Sequence, residues 1–141
     1  MSDVPRGRML KSSFVAPASL LSLLLVTLNL AGCTKEQTVL AGGKPIDHWV
    51  AAARDPSEKV RKQAIQKLGN VGNSDPAVLP VLIAALKDTS PSIRREAIIA
   101  IVKYGPGAEQ AVDALKTLAA SDADPQIRGY AAQAAQILNR S

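Results

Sequence analysis

Asp55-Pro56-Ser57-Glu58-Lys59-Val60-Arg61-Lys62-Gln63-Ala64 is echoed by Asp88-Thr89-Ser90-Pro91-Ser92-Ile93-Arg94-Arg95-Glu96-Ala97 and again by Asp122-Ala123-Asp124-Pro125-Gln126-Ile127-Arg128-Gly129-Tyr130-Ala131. The arginines Arg61, Arg94 and Arg128 stand 33 and then 34 residues apart. Each follows an aspartate by six residues and precedes an alanine by three. A further apolar column, Leu68, Ile101 and Ala135, keeps the same phase. A period of this length, held in several columns at once, marks stacked repeats.

Within each copy the apolar residues keep helical spacing: Val60, Ala64, Ile65, Leu68 and Val71; Ile93, Ala97, Ile98, Ile101 and Tyr104; Ile127, Ala131, Ala132, Ala135 and Leu138. Ser57, Ser90 and Asp124 suit the helix N-cap, and Glu58, Pro91 and Pro125 suit the first turn that follows. Gly72, Gly105 and Asn139 are residue types that readily take the left-handed conformation that ends a helix. Between these helices lie partner stripes. Asp75-Pro76 opens one with Leu79, Leu82, Ile83 and Leu86, and Pro80 is close enough to its start to be tolerated. Ala111, Val112, Leu115 and Ala119 form another. The first, from about Pro45 to Arg54 with Ile46, Trp49 and Val50, is short and reads as an N-terminal cap. Strand alternation is absent throughout.

The aspartate, the arginine six residues on and the small residue three further, seen three times, resemble HEAT-like repeats of the PBS-lyase type. The resemblance covers about residues 45 to 139. It implies an all-α fold, a short right-handed α-solenoid of about three helical hairpins, each pair covering the apolar face of the next. In proteins with such repeats the equivalent aspartate and arginine bridge adjacent repeats and satisfy turn amides. By that likeness Asp55, Arg61, Asp88, Arg94, Asp122 and Arg128 form a structural ladder. The functional alternative makes the three arginines an anion-binding column. The alanine-rich last helix either caps the stack or leaves an end that pairs with another molecule.

At the other end of the chain, Leu30-Ala31-Gly32-Cys33 closes an apolar stretch and carries the only cysteine. Arg6, Arg8 and Lys11 give a positive start, and Phe14 to Leu28 an apolar run. Pro17, Thr27 and Asn29 interrupt it, short of the roughly 20 apolar residues that span a bilayer. The segment resembles a bacterial lipoprotein signal peptide, which implies cleavage before Cys33, a lipid on its sulfur and acylation, as by palmitate, of its new amino group. The expected organisation is a signal peptide over 1–32, a lipidated cysteine and flexible tether over 33–44, and a HEAT-like repeat domain over 45–141. Residues 34–44 could reach at most roughly 36 to 40 Å. Gly42-Gly43-Lys44 lacks the preceding strand and the spacing of a phosphate loop and reads as linker. By analogy with such lipoproteins, Thr34 favours the outer membrane, facing the periplasm, if the cell has two membranes.

Past residue 32 the net charge is only +3, and Trp49, Tyr104 and Tyr130 are the only aromatics. Neither a strong basic field nor a stacking platform for nucleic acid results. His48 is the single histidine, so no two-histidine metal site can be built. With Cys33 lipidated there is no thiol nucleophile, and no serine has a histidine at a recognisable spacing. Asp122 and Asp124 hint at calcium or acid–base work, but one fills the repeat column and the other the cap position. Bilin lyases resemble the same repeats, and the likeness here reaches only the scaffold. No enzyme, cofactor or metal is therefore expected.

A binding surface is expected on the inner side, on the exposed positions of the second helices. There Lys62, Arg95 and Gly129 form one column and Gln66, Ile99 and Gln133 the next. Ile99 is apolar where its counterparts are glutamines, and beside Arg95 it forms a mixed patch suited to a protein partner. The expectation is a lipid-anchored, non-catalytic scaffold or adaptor that binds an unidentified protein at the cell envelope. The alternatives are a small anionic ligand on the arginine column and a structural subunit of an envelope complex.

Overall fold

A computed structural model describes residues 39–140 of the chain. A two-residue hairpin, β1 (Leu40–Ala41) and β2 (Lys44–Pro45), leads into α1 (Ile46–Ala52) and α2 (Glu58–Val71). Then come α3 (Val78–Ala85), α4 (Pro91–Tyr104), α5 (Val112–Ser121) and α6 (Pro125–Leu138). Single turns of 3₁₀ helix, Gly72–Ser74 and Glu109–Ala111, precede α3 and α5. Successive helices pair into three antiparallel hairpins, and the second helices α2, α4 and α6 pack on one another in order. The described fold is thus the short all-helical solenoid that the repeat implied.

The repeat columns decide what is buried. Ala64, Ala97 and Ala131 have no exposed surface. Ile65, Leu68, Leu82, Leu86, Ile93, Ile101 and Leu115 fill the space between the layers. Each would cost about 2–5 kcal/mol to truncate to alanine, because so packed an interior cannot collapse onto the void. Ala132 departs from the expected inward set and is exposed. Its counterparts Ile65 and Ile98 are covered by a following hairpin, and no further hairpin lies over α6 among the described residues.

Helix ends follow the sequence signals with two corrections. Gly72 and Gly105 close α2 and α4 at φ of 60° and 76°, a region where a Cβ is costly. Asn139 instead stays right-handed at φ −78°, so α6 ends without a left-handed cap. At the N-termini, only Asp124 caps by its side chain, accepting from the Gln126 amide. Ser57 and Ser90 occupy the cap position in extended backbone but accept no amide. The preceding aspartates hold the turn that leads in: Asp55 Oδ1 accepts the Ser57 amide and Asp88 Oδ1 the Ser90 amide, both at 2.8 Å. The Ser90 hydroxyl donates to Glu58 at 2.6 Å, linking the first two repeats.

Val39 to Lys44, expected as the end of a flexible tether, fold onto the domain. The buried Trp49 indole needs an acceptor, and Nε1 donates to the Ala41 carbonyl at 2.7 Å. Gly42 and Gly43 then make the two-residue turn, at φ of 57° and 81°, with Leu40 opposite Pro45 and Ala41 opposite Lys44. Ala41 is buried and the Ile46 amide donates to Val39. Two strand residues are too few for alternation to show, and a Gly-Gly turn has the composition of a linker. Cys33 and the lipobox lie outside the described residues. Among the described residues no helix is long and apolar enough to cross a membrane.

Candidate functional site

Two charged pairs cross the stack. Arg61 in α2 reaches the turn of the next repeat, where Nε donates to Asp88 Oδ2 at 2.8 Å and Nη2 to Oδ1 at 3.0 Å. Arg94 in α4 does the same to Asp122, at 2.7 and 2.8 Å. In each case the third nitrogen, Nη1, is tied to the arginine's own turn: Arg61 to the Asp55 and Pro56 carbonyls, Arg94 to those of Asp88 and Thr89. Such forks are planar and bidentate, so they fix orientation as well as distance. Side-chain exposure is only 12% for Arg94 and 4% for Asp122, which places the pair out of bulk water.

The carboxylates respond to these partners. The Arg61 guanidinium and the Ser90 amide hold Asp88 below the usual carboxylate range, against the opposing effect of burial. Burial pushes Asp122 up, but Arg94 and the Asp124 amide outweigh it and the net direction is again down. The Asp88 hydrogen bond raises Arg61 above its ordinary value. Both forks are filled by intramolecular carboxylates, so neither Arg61 nor Arg94 offers a site to an external anion. Asp122 and Asp124 are likewise engaged, Asp122 Oδ1 accepting the Asp124 amide at 2.8 Å.

The ends of the ladder differ from its middle. Arg128 holds its own turn through Nη1, at 2.8 Å from the Asp122 carbonyl and 3.4 Å from that of Ala123. Its Nε and Nη2 find no acceptor among the described residues. Asp55 accepts the Ser57 amide and no arginine among the described residues.

On the face formed by the second helices, the expected patch is larger than the sequence columns suggested. Arg95, Ile99 and Gln133 line a groove of about 260 Å³ between α4 and α6, joined there by Val102, Lys103, Tyr130 and Ile137. Ile99, Tyr130 and Ile137 are three of the four large apolar side chains exposed among the described residues. The Arg95 guanidinium lies 5.5 Å from the centre of the Tyr130 ring, a cation–π contact that pins the aromatic wall. Gln66 belongs to a neighbouring, more polar recess of about 250 Å³ between α2 and α4, which shares Ile99 and Lys103 with the groove. Lys62 lines neither. Tyr130 and Ile137 stand outside the two exposed columns, Lys62–Arg95–Gly129 and Gln66–Ile99–Gln133, that pointed to this face. Their signal was positional: Tyr130 stands in the column of Gln63 and Glu96, and Ile137 in that of Asn70 and Lys103.

His48 stacks edge-on against Trp49, centroids 4.9 Å apart, with Lys44 Nζ 3.1 Å from its Nε2. No cluster of His, Cys, Asp and Glu able to hold a metal ion occurs among the described residues.

Hairpins stacked through a repeated Asp–Arg bridge define a helical-repeat protein of the α-solenoid class. The HEAT-repeat family matches residues 46–136, most of the chain, and the protein belongs to that family. HEAT repeats generally serve as scaffolds for protein–protein interaction and are typically non-catalytic. No curated protein matches the chain.

Proposed function

We propose that this protein is a lipid-anchored, non-catalytic adaptor that captures a protein partner at the cell envelope through the groove between α4 and α6. The observation that carries the binding reading is the gathering of Ile99, Tyr130 and Ile137 around one recess rimmed by Arg95 and Lys103. Apolar anchors beside an arginine, with an aromatic wall, have the composition of interface hot spots. The envelope reading rests on the lipobox at Leu30–Cys33, with the lipid on Cys33 and Thr34 favouring an outer membrane. The small-anion alternative loses its ground where Arg61 and Arg94 are already engaged.

Two measurements test the proposal. Mass spectrometry of the membrane-extracted protein should show an N-terminal Cys33 with a lipid on its sulfur and an acyl group on its amine, and an unmodified cysteine or an intact leader would overturn the anchor. Crosslinked capture from solubilised membranes, run beside Arg95→Glu with Ile99→Gln and beside Lys62→Glu, should yield a stoichiometric partner. That partner should be lost from the groove variant alone. Capture unchanged in the groove variant, at unchanged helicity, would remove the groove from the function.

A further inference from the structure

The two ends of the ladder carry complementary halves of the same bridge. Arg61–Asp88 and Arg94–Asp122 show what a complete rung is: an arginine tied by Nη1 to its own turn, and an aspartate tied by Oδ1 to the amide two residues on. Arg128 already has the first half of that geometry, with Nε and Nη2 unmatched among the described residues, and Asp55 already has the second. Each is held in the conformation that its paired counterparts use, so little ordering would be needed to join them.

The surfaces around them differ in relief. At the C-terminal end, Lys116, Ala119, Ala132 and Ala135 line a shallow recess of about 450 Å³. Ala132 is small where Ile65 and Ile98 fill the equivalent interfaces. At the N-terminal end the β1–β2 hairpin lies over Lys67, where a Cβ added at Gly42 would meet Nζ at 2.9 Å. Lys67 stands in the column of Ala100, whose Cβ faces the preceding repeat. The hairpin therefore covers the Lys67 part of the face on which a preceding repeat would pack, and it carries the exposed Leu40. A raised cap with an apolar tip at one end matches a hollowed, alanine-floored recess at the other.

We propose that the C-terminal end of one molecule takes the N-terminal end of a second copy of this chain, Arg128 gripping Asp55 as Arg94 grips Asp122, with Leu40 seated against the alanine floor. Such a contact is heterologous and runs head to tail. It uses a face separate from the α4–α6 groove and stands without that reading.

The test places a photo-crosslinking residue at position 132 of the full chain in bacterial membranes and maps the adducts by mass spectrometry. The expected product is a self-adduct to the segment 39–61 of another copy. It should fall about tenfold in Asp55→Arg and in Arg128→Asp, the loss expected for about 1.4 kcal/mol of contact energy. It should return in the doubly reversed chain carrying both substitutions. Leu40→Glu, which leaves the ladder intact, should also reduce it and guards against a reversal that simply fails to fold. Absence of any self-adduct in the unmodified ladder, adducts only to another protein, or self-adducts indifferent to all these changes would overturn the proposal.

Discussion

Gly69 in α2 faces Ala100 in α4 so closely that a Cβ added at position 69 would stand 2.7 Å from the Ala100 Cβ and 3.3 Å from its Cα. The obstacle at Ala100 is backbone and the first side-chain carbon, which cannot swing aside. Gly69→Ala would gain about 1 kcal/mol of helix propensity and lose about 1–3 kcal/mol to overpacking. The expected result is net destabilisation in chemical denaturation, relieved when Ala100→Gly is added. Gly129 in α6 is the control, since nothing lies within 4 Å of its missing Cβ. There the same change should stabilise by up to about 1 kcal/mol.

Arg94→Met should lower the melting temperature by on the order of 5 °C, because it strands the nearly buried Asp122 carboxylate. Arg128→Met, measured in dilute protein, should cost clearly less, since its fork has no carboxylate partner among the described residues. Equal losses would mean that the turn carbonyls, common to both arginines, carry the effect.

The ladder also sets a pH dependence. Asp88 and Asp122 titrate lower in the fold than in the unfolded chain, where aspartate titrates near ~3.9. Their stabilisation is fully present above that value and is lost as pH falls through the folded-state values. Thermal midpoints should therefore hold from pH 7 to about 5 and fall below about 4. The Asp88→Asn, Asp122→Asn variant should start lower at neutral pH and descend less steeply. Parallel descents would assign the acid sensitivity to other carboxylates.

Trp49→Phe keeps the apolar ring in place and deletes the 2.7 Å bond to the Ala41 carbonyl. Loss of one buried hydrogen bond, at about 1–2 kcal/mol, should free the β1–β2 hairpin without unfolding the repeats. Hydrogen exchange should quicken across residues 39–46 and stay unchanged in α4 and α6. Protection retained in the hairpin would mean that Ala41 burial alone holds it.

The hairpin shows why some of this fold was legible in the sequence and some was not. Periodic features were readable because the aspartate, the arginine and the buried alanine were each printed three times, and the proline at the start of α4 and α6 twice. Features that occur once had no second copy to confirm them. Gly42-Gly43 carries the same letters whether it is a linker or a hairpin turn, and only Trp49 reaching back to Ala41 decides between them. The serine caps were legible only as positions: Ser57 and Ser90 stand at the helix start and give their own amides to Asp55 and Asp88, but their hydroxyls accept no amide. For the candidate site, Ile99 was visible as a break in a polar column, with Arg95 beside it. Tyr130 joined them only when α6 was laid beside α4.

The ladder rungs join residues 27 and 28 apart in sequence, and helices meet chiefly the next helix in the chain or the one after it. No early step has to bring distant parts of the chain together, so the entropic toll of loop closure stays small. A topology so local belongs with the fast folders, on the microsecond-to-millisecond scale of helical bundles. Each hairpin can serve as the template on which the next condenses, and the chain can begin to gain structure before its last repeat has been made.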